Sequence, residues 1–313
     1  MYIDAMASYV PQEVVPNAYF EQVAGLTNDW IVERTGIRER RKAGEGENTN
    51  TMGVKAVETG LDLISFSPDK IDLIVGATYT PHDTIVTLAH AIQHRLDIHD
   101  VPSFSVSSAC SSLVNAVEIV EGYFAMNKAT HAVVVVSDHN TAYSNDEDPK
   151  SGPLWGDGAA ALFITKEKHH DRAIRITDVL TGGAATRGKA TQAITLRPLA
   201  GFDMPFGKDV FIHACQYMPS ATNDLLKRNG KTVEDIRFLI PHQANLRITK
   251  NVMETLKLPE EKALGNIQIR GNTGCAGCGI VLDENKDRYQ PGDLIVITVF
   301  GGGYSYGAML LEV

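Results

Sequence analysis

Two segments of this chain, Ala132-Val133-Val134-Val135-Val136 and Leu294-Ile295-Val296-Ile297-Thr298-Val299, are nearly unbroken runs of aliphatic and β-branched residues. A strand with one solvated face alternates apolar and polar residues, so an unbroken run marks a strand covered on both faces. Each run also has matching neighbours. Upstream lie a buried strand (Asp72-Leu73-Ile74-Val75, or Phe238-Leu239-Ile240) and then a polar turn leading into an apolar segment. Downstream lies a strand that opens on small residues, from Gly158 to Phe163 or from Gly307 to Leu311. The repeated order predicts two βαβ-type halves, 1–165 and 166–313, packed as a layered α/β protein with paired sheets around central helices. Polar turns that face each other across such a junction would build one site from both halves.

The first of these turns carries Cys110. It ends the run Phe104-Ser105-Val106-Ser107-Ser108-Ala109, which reads as a buried strand. Leu113, Val114, Ala116, Val117, Val120 and Tyr123 follow at helical spacing. The thiol is therefore expected on the first turn of a helix, where free N–H groups and the helix dipole favour a thiolate. In the second half, Pro241-His242-Gln243-Ala244-Asn245 follows a strand, and Gly271-Asn272-Thr273 forms the polar turn. A cysteine with a distant histidine and asparagine points to nucleophilic catalysis assembled by the fold.

Composition narrows the function classes. A net charge of -9 argues against nucleic acid as the main partner, so any anion site must be a local basic patch. Four cysteines in 313 residues make no disulfide framework. The N-terminus lacks a signal pattern and no apolar run reaches membrane-spanning length, so a cytoplasmic protein without a membrane partner is expected. Two motifs are decoys. Gly303-Tyr304-Ser305-Tyr306-Gly307 fits a hydrolase nucleophile elbow, but only six residues follow it and none is histidine. Cys275 and Cys278 form a C-x-x-C with no second pair for zinc, and the glycines around them favour close helix packing.

Read together, Asp29-Trp30-Ile31-Val32-Glu33-Arg34-Thr35-Gly36-Ile37-Arg38-Glu39-Arg40, Ala109-Cys110, Gly156-Asp157-Gly158-Ala159, Val210-Phe211, Pro241 to Arg247, Gly271-Asn272-Thr273 and Gly301 to Gly307 resemble the β-ketoacyl-acyl-carrier-protein synthase III family. The resemblance spans nearly the whole chain. It implies the thiolase-like five-layered αβαβα fold made of two pseudo-duplicated halves. It implies an acyltransferase in which acyl-CoA loads Cys110, followed by decarboxylative Claisen condensation with a malonyl-type acyl-carrier-protein thioester. A family III ketosynthase of specialised metabolism is the alternative.

The resemblance also assigns residues. His242 and Asn272 would complete a triad with Cys110 and donate to the enolate oxyanion. The N–H groups of Cys110 and Gly303 would form the oxyanion hole. Trp30, Arg34, Lys150 and Arg247 would bind coenzyme A or the carrier, with lysine at position 150 replacing the usual arginine and losing its bidentate fork. Ile85, where phenylalanine is common, and Met204 would line the acyl pocket. Ile212 and Glu254 stand where well-known members have lysines that help dock an acidic carrier. No cofactor is implied beyond the coenzyme A thioester substrate. A homodimer is implied, with the loop Thr80 to Val86 closing the partner's pocket.

Overall fold

The computed structural model describes residues 1–197 and 199–313. Its main sheet holds nine strands: β1 (Tyr2–Tyr9), β2 (Leu73–Ala77), β3 (Ser103–Val106), β4 (His131–Asp138), β5 (Gly158–Thr165), β6 (Ile174–Gly183), β7 (Ile236–Pro241), β8 (Leu294–Phe300) and β9 (Ser305–Glu312). They are ordered β7-β8-β9-β6-β1-β5-β4-β2-β3. From the β1–β6 junction outward, β5-β4-β2 on one side mirrors β9-β8-β7 on the other. In each half the pair farther from the junction is parallel and the nearer pairs are antiparallel.

The principal helices are α1 (Asn28–Thr35), α2 (Thr49–Leu61), α3 (Leu88–Leu96), α4 (Ser112–Ala125), α5 (Gly207–Arg228), α6 (Leu246–Leu256) and α7 (Gly277–Glu284). Side chains alternate across the valine-rich strands. Val133 and Val135 of β4 pack with Met52 and Val57 of α2 and Leu88 and Ile92 of α3. Ala132, Val134 and Val136 turn the other way and join Leu113, Val117 and Val120 of α4 and Ile280 and Val281 of α7. That same cluster takes Ile295, Ile297 and Val299 from β8, while Leu294 and Val296 pack under α5 and α6. The layers are thus α2/α3, one half-sheet, α4/α7, the other half-sheet, and α5/α6. Fully burying each such valine or leucine stabilises the fold by about 1.5–3 kcal/mol relative to exposure.

Two details depart from the sequence reading. The two sheets are joined by hydrogen bonds at a narrow seam, where Tyr2 and Ile3 of β1 pair with Arg175 and Ile174 of β6. The strand before Cys110 ends at Val106 rather than Ala109 and is only half-buried, because β3 lies at the sheet edge. No helix among the described residues is long and apolar enough to cross a membrane.

Candidate active site

Cys110 sits between β3 and α4, just outside the helix, which begins at Ser112. Ala109 before it adopts a left-handed backbone (φ 50°), a conformation costly for a residue with a side chain. Hydroxyls hold this turn: Ser112 Oγ donates to the Ala109 carbonyl (2.6 Å), and Ser111 Oγ donates to that of Ser108 (2.8 Å). Ser305, at the start of β9, also donates to the Ser108 carbonyl (2.7 Å). This serine of the apparent hydrolase elbow therefore pins the glycine loop to the cysteine turn. At Gly301 a Cβ would fall 2.8 Å from the Cys110 amide nitrogen, so only glycine lets the loop approach this closely.

The surroundings of the sulfur reverse the expectation of a ready thiolate. Burial pushes the Cys110 thiol up to about 12, and the buried Asp138 carboxylate adds to the rise. The amides of Cys110 and Gly302 and the Tyr79 hydroxyl oppose it without prevailing. Desolvation outweighs the helix terminus, so the resting sulfur is a neutral thiol.

On the other half, His242 ends the β7 edge, with its backbone N–H donating to the Thr298 carbonyl (2.8 Å). Its ring is buried, which lowers its pKa to about 4 and keeps it neutral, and Nδ1 has no hydrogen-bond partner among the described residues. Asn272 is fixed by its backbone, donating to the Leu154 carbonyl (2.8 Å) and accepting from Gly156 N–H (3.0 Å). Its Oδ1 accepts from Gly274 N–H (3.0 Å). That bond orients the amide and leaves Nδ2 as the donor free for a ligand.

Cys110, His242 and Asn272 line one cleft of about 260 Å³, together with Trp30, Arg34, Lys150 and Met204. The Arg34 guanidinium lies 4.2 Å from the centre of the Trp30 ring, one helical turn away on α1. The remaining walls include Leu154, Trp155, Ile194, Met218 and Phe300.

Three expected site residues lie elsewhere. Gly303 is exposed and outside the cleft lining; the amide against the sulfur belongs to Gly302, since the loop turns outward at Gly303 (φ 68°). Arg247 lies beside the cleft, in a shallow depression with Lys208, Phe211 and Asn245. Ile85 is 82% exposed and does not touch the cleft of its own chain. Cys275 and Cys278 are buried free thiols, their sulfurs directed to the carbonyls of Ala77 and Ile240.

Residues 104–183 match the family profile described as 3-oxoacyl-[acyl-carrier-protein] synthase III, and residues 226–313 match its C-terminal profile. The β-ketoacyl-[acyl-carrier-protein] synthase III of Oleidesulfovibrio alaskensis is 31% identical, covering 99% of this chain and 98% of its own. That of Aquifex aeolicus is 32% identical over 97% and 96%. The chain belongs to the β-ketoacyl-[acyl-carrier-protein] synthase III family. It is a condensing acyltransferase with the thiolase-like fold. The crystal structure of the Aquifex aeolicus synthase III superposes with a TM-score of 0.93 at 31% identity, covering 100% of this chain and 99% of that one. The priming β-ketosynthase of the R1128 polyketide pathway gives 0.90 at 29% identity, covering 99% and 95%.

Sequence reading missed Tyr79, Asp138 and Asn140, which cluster behind Cys110. A signal existed for Asp138. It is a carboxylate two residues past the Ala132–Val136 run, at the carboxyl end of a central strand, where α/β sheets place their sites.

Proposed function

We propose that Cys110 accepts an acyl group from an acyl-CoA and passes it to the enolate of a malonyl-type thioester carried by acyl carrier protein, giving a 3-oxoacyl product. In the first step the Cys110 sulfur attacks the thioester carbonyl, the bond to the coenzyme A sulfur breaks, and the thiol proton leaves with coenzyme A. The step is neutral overall, which suits a nucleophile that rests as a thiol. The Cys110 and Gly302 amides would hold the tetrahedral oxyanion. In the second step the malonyl thioester loses carbon dioxide, and the enolate oxygen accepts hydrogen bonds from His242 and Asn272. Attack of the enolate carbon on the acyl-cysteine carbonyl then breaks its bond to sulfur, which leaves as a thiolate and takes a proton from solvent to restore the resting thiol.

The observation that carries this reading is the pairing of a nucleophile from one half with two neutral, unspent donors from the other in one cleft. Residues 1–165 supply the thiol and 166–313 supply the donors. Trp30, Arg34 and Lys150 at the cleft are the groups suited to the adenine and phosphates of coenzyme A. Lys208 and Arg247 beside it suit an acidic carrier, although Ile212 and Glu254 on the exposed helix surfaces reduce the basic charge there.

A homodimer belongs to the same reading. β3 is an open edge whose apolar residues are only half-buried, and Ile85 and Val86 project at 82% and 56% exposure. A second copy covering this edge would bury them.

The test is intact-protein mass after incubation with a panel of acyl-CoAs. The parent is expected to gain one acyl mass and Cys110→Ala none. An unchanged gain in Cys110→Ala would place the nucleophile elsewhere.

A further inference from the structure

The Cys110 sulfur meets one polar side chain that the condensation scheme leaves unused. Tyr79 lies just beyond the carboxyl end of β2, its backbone N–H donating to Asp138 Oδ1 (3.1 Å). Its ring packs edge-on against Phe202, with centroids 6.2 Å apart, and Phe202 stacks on Trp155 at 4.3 Å. Its hydroxyl lies against the Cys110 sulfur and donates to Asn140 Oδ1 (2.7 Å). Asn140 Nδ2 in turn donates to the carbonyls of Gly156 (2.7 Å) and Asn272 (3.2 Å). At Gly274 a Cβ would fall 2.5 Å from the Tyr79 hydroxyl oxygen, so the donor-bearing turn is folded directly onto this phenol. Polar contacts thus run from the nucleophile, through Tyr79 and Asn140, to the backbone of Asn272.

We propose that Tyr79 is a positioning residue for this reaction: its hydroxyl sets the Cys110 sulfur relative to the Asn272 donor and hydrogen-bonds the sulfur while it carries negative charge. The inference rests on Cys110 being the nucleophile. A phenol has one proton to give and lone pairs to accept with. At rest the proton goes to Asn140, and the neutral thiol can donate to the phenol oxygen. When the sulfur is charged, turning the proton toward it exchanges a neutral hydrogen bond for a charge-assisted one.

The groups facing the sulfur make this contribution count. Asp138 is a buried carboxyl held by Thr78 Oγ1, Thr80 Oγ1 and the amides of Tyr79 and Cys275, and its charge opposes a thiolate. Cys275 and Cys278 are neutral thiols, kept so by burial, and His242 in the cleft is neutral as well. With the amides of Cys110 and Gly302, the Tyr79 hydroxyl acts in favour of the thiolate.

The experiment is alkylation of Cys110 by iodoacetamide across a range of pH, followed by intact mass, beside the rate of acylation by acyl-CoA. At a pH below the thiol's midpoint, Tyr79→Phe is expected to alkylate about three- to tenfold more slowly, with its profile displaced to higher pH and acylation slowed by a similar factor. A profile that superimposes on the parent's, even with lowered thermal stability, reduces Tyr79 to a packing role and overturns the proposal. 3-Fluorotyrosine incorporated at position 79 keeps the ring's shape while making the hydroxyl a stronger donor. It should displace the profile to lower pH, and an unmoved profile there overturns the proposal even where Tyr79→Phe does not fold. Acylation of the parent at a residue other than Cys110 would overturn the nucleophile assignment as well. Acylation at Cys110 with unmoved profiles overturns only the role of Tyr79.

Discussion

The Cys110 turn and the Asn272 turn occupy corresponding places in the two halves, each leading into a helix of the central layer, yet they are built in opposite ways. Cys110 lies directly before α4, on a backbone strained at Ala109, with a buried carboxylate and a phenol behind it. Asn272 stands five residues ahead of α7, and its polar groups are held by the backbone of Leu154, Gly156 and Gly274 and by the Asn140 side chain, which leaves its amide nitrogen as the donor. In the proposed reaction the first turn holds a group whose charge must change. The second holds a dipole that must stay still. Duplication of a fold thus gives two equivalent positions, and burial with local hydrogen bonding decides which becomes reactive and which becomes a support.

The sharpest way to break this comparison is to remove the support and watch which step fails. Losing one oxyanion donor typically costs about 3–4 kcal/mol. Asn272→Ala is therefore expected to keep loading Cys110 while carbon dioxide release from a malonyl thioester falls by roughly a hundred- to a thousandfold. His242→Ala should act similarly, with some loss of loading where the imidazole meets the thiol. Stopped-flow loading measured beside carbon dioxide release decides it: equal losses in the two steps would merge the roles assigned to the two turns.

A smaller effect should appear in stability. The His242 pKa is near 4 in the folded chain, below the ordinary histidine value of about 6.5. Between those values the unfolded chain binds a proton that the folded chain refuses, so the stability that comes with a neutral ring is present above about pH 6.5 and fades as pH falls toward 4. The shift corresponds to about 3 kcal/mol. Denaturant titrations at neutral and mildly acid pH should show a steeper acid loss in the parent than in His242→Ala. Equal slopes would mean that the ring is hydrated and that the second turn is not the neutral, dry one.

The smallest effect concerns the loop after Tyr79. Ile85→Phe should change acyl-CoA preference while leaving the rate with the best substrate within a few-fold, because the exposed residue lies away from its own cleft and, in the proposed dimer, would act on a partner's. An unchanged preference would remove Ile85 from the acyl pocket.

Much of this was legible in the chain. Unbroken aliphatic and β-branched runs marked β4 and β8, and helical spacing after Cys110 marked α4, because burial on both faces and on one stripe leaves distinct patterns. β1 and β6 were not legible. Ile174–Gly183 mixes buried and half-buried residues without a clean period, and Tyr2–Tyr9 shows no alternation that separates it from a helix. Within the site, His242 stood out at the end of a strand, and Cys110 and Asn272 stood out on polar turns ahead of apolar segments. Gly302 could not be told from Gly303, since neighbouring glycines carry no side chain to mark which amide points inward. Tyr79 was hidden because its role depends on Asn140 and on the Asn272 turn, which lies far off in sequence.

The narrow seam between β1 and β6 has a consequence for how such an enzyme can change. With two residue pairs joining the half-sheets, the separation between sulfur and donors is held by the shared interior together with the bonds that tie Asn272 to Leu154 and Ser305 to Ser108, as the gap of a calliper is held by its screw and its frame. A methyl group added or lost between α4 and α7 would move two jaws that it never touches. Interior residues of this chain are therefore part of its catalytic measure, and substitutions there cannot drift as freely as burial alone would allow.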